Sequence, residues 1–536
     1  MADRSSELVF AFAYPVGASV DHVITTFEKI LRQYGYDSHQ YRISDQLPKM
    51  NLKTSFADSS AYGRSDALMK AGNEARSIAK HDGILAVMAV ESIGSLRSSD
   101  ESERPIAMPR TAHLVRSLKR PEEVSLLREI YRSGFYLVGI ANDDDSQEKY
   151  LTKVCGMSSE QAKGLMERDR DEDTEHGQRT RQTFYLSDVF IDADDDHYED
   201  QIDRFLELVF GQPFITPRRH EHAMFLAYAS AARSAEPGRQ VGAAIATPDG
   251  DILAVGMNEV PSPKGGVYWD GDEEDHRAYT KDIDSNAAHR NMIATDIVDK
   301  LVKSKVLDAQ KLRELLGSVF EQSGVAIPDK FEERVQEMLD GESGIFNVES
   351  VMTAINKSSF RSITEFGRAV HGEMDAILTC ARLGIGVRGN DLFVTTFPCH
   401  NCTRHIIASG IRRVFYVEPY PKSKARDLHD DAICFDEEDA KKTGRIPFLP
   451  FVGIGPRRYL DFFSLELSSG GPVKRKGDDE KPCKPNKDDR VPRVFLDPDS
   501  YLDNEERLRK NFDPVLQVLQ SKQSPDDEDK PRVPIK

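Results

Sequence analysis

Two short stretches decide how the second half of the chain folds: His371-Gly372-Glu373, and Pro398-Cys399-His400-Asn401-Cys402 some 28 residues downstream. Each opens a helix. His371 to Arg382 has helical spacing with Gly384 near its end, and Cys399 to Ser409 is stopped by Gly410. Leu392 to Thr396 and Val414 to Glu418 are apolar strands flanking the second helix. Upstream, Val241 to Thr247 and Ile252 to Met257 form a hairpin over the turn Pro248-Asp249-Gly250. An Ala-rich helical stretch, Arg218 to Ala235, precedes it. Residues 270 to 365 are polar and helix-rich, and are expected to be an insertion.

One histidine and two cysteines make a three-ligand zinc set with a fourth position open to water. Two thiolates neutralise the formal charge of Zn²⁺, yet the ion still lowers the pKa of water toward neutrality. Helix N-termini favour thiolate, and Pro398 fits just before such a start. Glu373 lies too close in sequence to His371 for both to ligate, and is placed to move protons instead. A lone C-x-x-C is more often a structural zinc site or a redox pair, and H-x-E alone is uninformative. Together, at this separation, they form the H-x-E…P-C-x-x-C pattern of zinc nucleobase deaminases. His400 and His405 flank the motif and read as packing or substrate-touching side chains rather than ligands.

The segment from Arg218 to Tyr459 resembles a deoxycytidylate deaminase domain. Arg239-Gln240-Val241-Gly242-Ala243 is similar to that family's first strand, and Gly256-Met257-Asn258-Glu259-Val260-Pro261 to its G-x-N-x-x-P turn. The resemblance implies a cytidine deaminase-like α/β/α domain over residues 213–467, catalysis by Glu373, and substrate contact by Asn258. Without it, Asn258 would read as a turn-capping residue. The insertion before His371 departs from compact members of the family. Arg239, Arg404 and Lys422 are the candidate cations for the nucleotide phosphates.

The chain as a whole is similar to bacterial anti-phage dCTP deaminases, in which a P-loop kinase-like domain precedes the deaminase. Tyr416-Val417-Glu418-Pro419-Tyr420-Pro421-Lys422-Ser423, then Leu428-His429 and Asp431-Ala432-Ile433, carry this resemblance. Asp169 to Gln178, with Phe184 and Asp188, carry it in the first domain. It implies conversion of dCTP, or of dCMP, to the deoxyuridine nucleotide with release of ammonia, so that phage replication is starved of dCTP. It also implies a homo-oligomer such as a hexamer, and an inhibitor of unknown kind that restrains the enzyme before infection.

Residues 1–212 alternate strand and helix signals, which predicts a parallel sheet. Glu7 to Ala13 and Phe135 to Ala141 read as strands, Val20 to Tyr34 and Asn73 to His81 as helices, and Gly83 to Val90 as a buried strand. Glu167 to Gln182 is dense in charge and is expected to be an exposed helix or lid. Gly17-Ala18-Ser19 aligns poorly on a P-loop, with Ala18 where the lysine belongs. Gly17 and Ser19 are candidates for nucleotide binding through backbone N–H groups, and phosphoryl transfer is not expected. Residues 468–536 read as a largely polar tail, with 468–493 a disordered linker.

The chain has 536 residues, with 39% hydrophobic and 30% charged, enough for more than one core. A net charge of −18 and a single tryptophan argue against a strand-tracking surface for polymeric nucleic acid. Free deoxycytidine nucleotides are the expected partners. No apolar run reaches the ~18 residues of a membrane helix, and the acidic, Pro-interrupted start does not read as a signal peptide. Six scattered cysteines suggest reduced thiols and a cytoplasmic protein. Three other readings compete: a housekeeping dCMP deaminase, a polynucleotide cytidine-editing deaminase, and a non-catalytic zinc-stabilised nucleotide sensor. The last would have no need of Glu373.

Overall fold

A computed structural model describes residues 7–99, 104–172, 174–281, 284–303, 355, 358, 366–420, 423–466, 473–476, 480–483, 486–487, 490–493 and 498–520. Its frame is a pair of six-stranded sheets, each parallel for most of its width.

The first sheet runs β2 (Asp37–Arg42), β3 (Thr111–Arg116), β1 (Leu8–Ala13), β4 (Phe135–Ala141) and β5 (Val189–Asp192), all parallel. Every β1 side chain is buried, as expected of a strand covered on both faces. Val9, Ala11 and Ala13 face one layer of helices, while Leu8, Phe10 and Phe12 face the other. Helices α1 (Asp21–Gln33), α2 (Ala61–Ala79), α3 (Ile84–Gly94), α4 (Pro121–Tyr131), α5 (Ser159–Arg170), α6 (Thr180–Tyr185) and α7 (Tyr198–Val209) connect the strands.

Three expectations fail in this half. Gly83 to Val90 is not a strand but the start of α3. A short apolar run does not reveal its period when all its sides are covered, and Ile84, Val87, Met88, Val90 and Ile93 are all buried in one core. The charged stretch 167–182 is not an exposed lid either. Asp169, Gln178 and Thr180 are buried, and the charges are spent on neighbours: Arg168 on Asp66, Asp169 on Lys119, and Glu172 on Asn73 and Arg168. Finally, the polar stretch after 467 holds a long helix, Pro498–Gln520. Its Tyr501, Leu502, Leu516 and Leu519 enter the first core, and a buried network joins Glu505 and Tyr501 to Arg97, Glu7 and His113. The apolar residues that do this are spaced within a charged sequence, so composition hid them. Within 468–493, the described Lys487, Arg490 and Arg493 bind the first unit through Asp203, Glu207 and the Val209 carbonyl; the rest of that proposed linker lies outside the described residues.

The second sheet runs β10 (Ile433–Cys434), β11 (Ile446–Pro450), β9 (Arg413–Glu418), β8 (Asp391–Thr396), β6 (Gly242–Ala246) and β7 (Ile252–Met257). The expected β6–β7 hairpin is antiparallel, and β8, β9 and β11 are parallel. Helix α8 (Arg219–Ala231) packs one face, against Ala244 and Ala246. Helices α9 (Gly372–Arg382) and α10 (His400–Ser409) pack the other, against Ala243, Ile245 and Val394. Of the expected insertion, Ser285–Lys303 is helical; most of the remainder to 365 lies outside the described residues.

The two sheets share material. Strand β12 (Gly453–Ile454) leaves the second unit and pairs antiparallel with β5 of the first. Phe190 and Phe184 of the first unit join Phe393, Phe415 and Phe451 of the second in one apolar cluster.

Candidate metal centre

Two glycines set the position of α9. A Cβ at Gly256 on β7 would collide with the Gly372 carbonyl and the Ala376 nitrogen, so helix and strand meet backbone to backbone. Gly372 in turn lies over the Val241 carbonyl. His371 caps α9 and Cys399 caps α10, each with extended backbone just before the first helical turn. The cysteine sulfur accepts from the Cys402 amide at 3.5 Å, so the N-terminal turn of α10 steadies its thiolate.

The two caps meet. His371 Nδ1 lies 3.4 Å from Cys399 Sγ and 3.3 Å from Cys402 Sγ. All three ligand atoms fall within 4.8 Å of one another, the one such group of three or more metal-ligating residue types among the described residues. Ligands at ~2.0–2.3 Å around a tetrahedral zinc stand about 3.5 Å apart, so the set fits that ion without rearrangement. Its chemistry fits as well. The Cys402 hydrogen bond, aided by His371, holds the Cys399 thiol down at about 4. The hydrogen bond to Cys399, together with burial, pushes the Cys402 thiol well above its usual range. Hydrogen bonding to Cys399 raises His371 to about 9. A dication binding here displaces those protons.

Glu373 sits on the first turn of α9 and is 3% exposed. Burial pushes its carboxyl up to about 7, and the Cys399 charge adds to the effect. A carboxyl poised near neutrality beside a metal set is suited to both taking and giving a proton.

The other expected site residues behave differently. Asn258 is buried, and its amide is engaged with backbone: Oδ1 accepts from Val241 N at 2.6 Å and Nδ2 donates to Arg239 O at 2.5 Å. It ties β7 to the loop that carries Arg239. Arg239 pairs with Glu418 at 2.9 Å and leans over the Tyr420 ring, 5.9 Å from its centroid. Tyr420 is near enough to Cys399 for that charge to help burial raise its hydroxyl pKa. Arg404 projects from the exposed side of α10, opposite the inward Cys402 and Ile406, and does not converge on the centre. His405 is exposed beside it. Lys422 lies outside the described residues.

In the first unit, Gly17 has φ +84° and is packed against Leu151 and the Gln147 carbonyl, while Ser19 is exposed. The loop is filled by the chain itself. The buried Asp169 accepts from Val16 N at 2.9 Å and pairs with Lys119 at 2.9 Å, whose ammonium also donates to the Tyr14 carbonyl.

Several neighbours of the metal centre escaped the sequence reading. Glu259, buried, accepts from Ala235 N and Val260 N and so fixes the loop before Arg239. Glu236 on that loop feels the charges of Glu259 and His371, and burial raises its pKa. Glu259 stands inside the G-x-N-x-x-P stretch, but the direction of its side chain has no sequence signal.

Comparison with known proteins agrees with this geometry. Residues 217–418 match the cytidine and deoxycytidylate deaminase zinc-binding region. ComE operon protein 2 of Bacillus subtilis (strain 168) is 43% identical over 66 residues, 12% of this chain and 35% of that protein. Deoxycytidylate deaminase of Enterobacteria phage T2 is 42% identical over 55 residues, 10% of this chain and 29% of that one. The chain thus spans about a third of the length of these curated relatives. Among solved structures, the dCMP deaminase from cyanophage S-TIM5 in complex with dCMP and dUMP aligns over 44% of this chain and 99% of its own, at 16% identity and a TM-score of 0.21. The match over residues 217–418 is to a zinc-binding deaminase region, and the His/Cys/Cys set of the second unit fits Zn²⁺. No described helix is long and apolar enough to cross a membrane.

Proposed function

We propose that this protein hydrolytically deaminates free deoxycytidine nucleotides, with dCTP as the preferred substrate and dCMP as the nearest competitor. One observation carries the reading: a buried carboxyl, Glu373, stands two residues from a histidine that meets two cysteine sulfurs at 3.3–3.4 Å. A purely structural zinc site gains nothing from a buried acid beside its ligands, because burial of a carboxyl costs stability.

When bound, zinc supplies Lewis acidity and a water of lowered pKa. The rest falls to the chain. Glu373 takes the proton from the attacking water, passes it to N3 of the pyrimidine, and helps the C4 amine leave as ammonia. Its carboxyl, near 7, serves both directions of that shuttle. Buried Asn258 holds the Arg239 loop against the strand, so its part in substrate binding is to position that loop. The preference for a triphosphate follows from the resemblance carried by residues 416–423, whose Glu418 and Tyr420 contact Arg239. Loss of dCTP would halt DNA synthesis in a phage-infected cell, which is the proposed biological role.

The test is to incubate the zinc-loaded full chain with dCMP, dCDP, dCTP and CTP, then to separate products and assay ammonia. Deoxyuridine nucleotides, fastest from dCTP, are expected. No deamination of any of the four would overturn the reading, and faster turnover of dCMP would move it to nucleotide housekeeping.

A further inference from the structure

The end of β9 and the residues just after it grip the metal loop at two points. Phe397 N donates to the Glu418 carbonyl at 2.7 Å, and the Ser423 hydroxyl donates to the Pro398 carbonyl at 2.8 Å. Tyr420 stands between these two bonds in sequence, and its own carbonyl accepts from Ser423 N at 3.0 Å. The zinc ligand Cys399 directly follows Pro398. Glu418 and Tyr420 are thus fixed relative to the metal loop by hydrogen bonds on either side of it.

Arg239 reaches this segment from the loop before β6. Its backbone carbonyl is held by Asn258 Nδ2. The next residue, Glu259, pairs its backbone with Val370 at 3.1 and 3.0 Å, immediately before the ligand His371. Glu418 holds the side chain: Arg239 Nη1 donates to Oε1 at 2.9 Å, and the guanidinium leans over the Tyr420 ring. The two partners are unlike. The Glu418 side chain is 15% exposed, and its second oxygen accepts from the hydroxyl of buried Thr396 at 3.2 Å, whereas the Arg239 side chain is 54% exposed. Glu418 is the fixed member, and Arg239 is the one with freedom to lose. A guanidinium carries several donors, and among the described residues this one makes a single hydrogen bond.

We propose that Glu418 is a positioning residue for the deaminase site: it holds the Arg239 guanidinium beside the metal loop with donors still free, so that the phosphate of a nucleotide meets a cation already in place. This rests on the deaminase reading, in which Arg239 is a phosphate cation. An exposed arginine gives up rotamer freedom when it is fixed. Glu418, itself held by Thr396, imposes that order before substrate arrives, and a preorganised group binds more tightly. A phosphate takes the planar fork through a pair of N–H groups, so it binds without displacing Glu418. The opposite arrangement, a carboxylate that competes with phosphate for Arg239, predicts the opposite sign in the test.

The experiment compares wild type, Glu418→Ala, Glu418→Gln, Arg239→Ala and the Glu418→Ala/Arg239→Ala double variant as full-length, zinc-loaded proteins. Glu418→Ala should raise KM for dCMP and dCTP about tenfold, the worth of a hydrogen bond to a charged group. Its kcat should stay within about twofold. Glu418→Gln should recover part of the loss, because it keeps an acceptor for Nη1 and a contact for Thr396. Adding Glu418→Ala to Arg239→Ala should change KM by less than about twofold, since Glu418 acts through Arg239. Thr396→Val frees the second carboxylate oxygen and should raise KM by a smaller factor, which keeps the question decidable if Glu418→Ala does not fold. Inorganic pyrophosphate is the second probe: calorimetry should show it binding wild type and losing affinity for Glu418→Ala by a similar factor. A lower KM in Glu418→Ala, the same loss on the Arg239→Ala background, or pyrophosphate binding that is absent from wild type or equal in both proteins would overturn the proposal. Should wild type deaminate nothing, the deaminase reading fails alone, and pyrophosphate affinity across the same variants still decides whether Glu418 positions Arg239 for phosphate.

Discussion

The loops Tyr14–Ser19 and Phe397–Cys402 have the same local design and opposite contents. Each leaves the end of a strand in a largely parallel sheet and enters a helix. In the first, the amide of Val16 and the ammonium of Lys119 are claimed by the chain's own Asp169, and Leu151 closes over Gly17. In the second, the polar atoms converge on a common point instead of on each other's opposite charge. A strand-to-helix loop offers N–H groups wherever it occurs. What makes one of them a site is that the surrounding chain leaves ligand atoms to an ion and a raised carboxyl beside them. The first loop keeps the geometry, while its side chains are spent on folding.

The contrast breaks most directly at the metal ligands. Cys402→Ala should abolish zinc binding and reduce deamination to background, and should lower the melting temperature of the second unit, since metal affinity is also folding energy. Metal analysis of the purified full chain checks it. A variant with about one zinc per chain and normal turnover would show that the sulfurs do not form the site. The next effect in size belongs to Glu373. Glu373→Gln keeps the side-chain shape and should retain zinc, but it should lose turnover by about 10²–10⁴-fold, the range for a general acid/base. If turnover persisted while zinc was bound, another group would have to move the proton, and the raised carboxyl would not be what sets the second loop apart.

How much of this could be read from sequence differs between the halves for a physical reason. His371, Glu373, Cys399 and Cys402 were legible because zinc chemistry allows few residue types at few spacings. The hairpin and the strands β8 and β9 were legible because they alternate or are short apolar runs with turns at both ends. Residues Ile84–Gly94 were not, because a helix buried on all sides has no polar face to reveal its period. Asp169 and Arg181 look alike in sequence, as charges in a charged stretch. Only the fold shows that Asp169 is buried and paired with Lys119, while Arg181 is half-buried with no ion pair among the described residues. The helix Pro498–Gln520 was hidden in the same way, behind an acidic and basic surface.

That helix gives a test of what charge does in the first unit. Arg97 lies between Glu7 and Glu505, and all three are nearly inaccessible. Arg97→Met would leave two buried carboxylates without their cation, at a cost of about 3–5 kcal/mol. Thermal unfolding of the full chain should therefore shift sharply downward. Deamination at a temperature where the variant is folded should be unchanged, since none of the three residues approaches the metal centre. A loss of kcat in the folded variant would mean that the first unit tunes catalysis through its core.

The smallest effect is expected at the first loop itself. Ala18 stands where a phosphate-binding lysine would be needed, and Lys119, whose ammonium reaches the loop at the Tyr14 carbonyl, is held by Asp169. Charge developing on a transferring phosphoryl group would meet no free cation there. The full chain should accordingly transfer no phosphate from ATP to deoxynucleosides or their monophosphates. Asp169→Asn removes the charge that occupies the loop while keeping an acceptor for Val16 N. It should cost about 1–3 kcal/mol of stability through the weakened Lys119 contact, and it should leave deamination untouched. The variant should also gain weak affinity for inorganic phosphate, seen as a rise in melting temperature that wild type does not show, because Lys119 and the Val16 amide are then released to an external anion. ATP-dependent phosphorylation by wild type, measured by radiolabel transfer with Asp169 in place, would make the first loop a second active site and end the contrast.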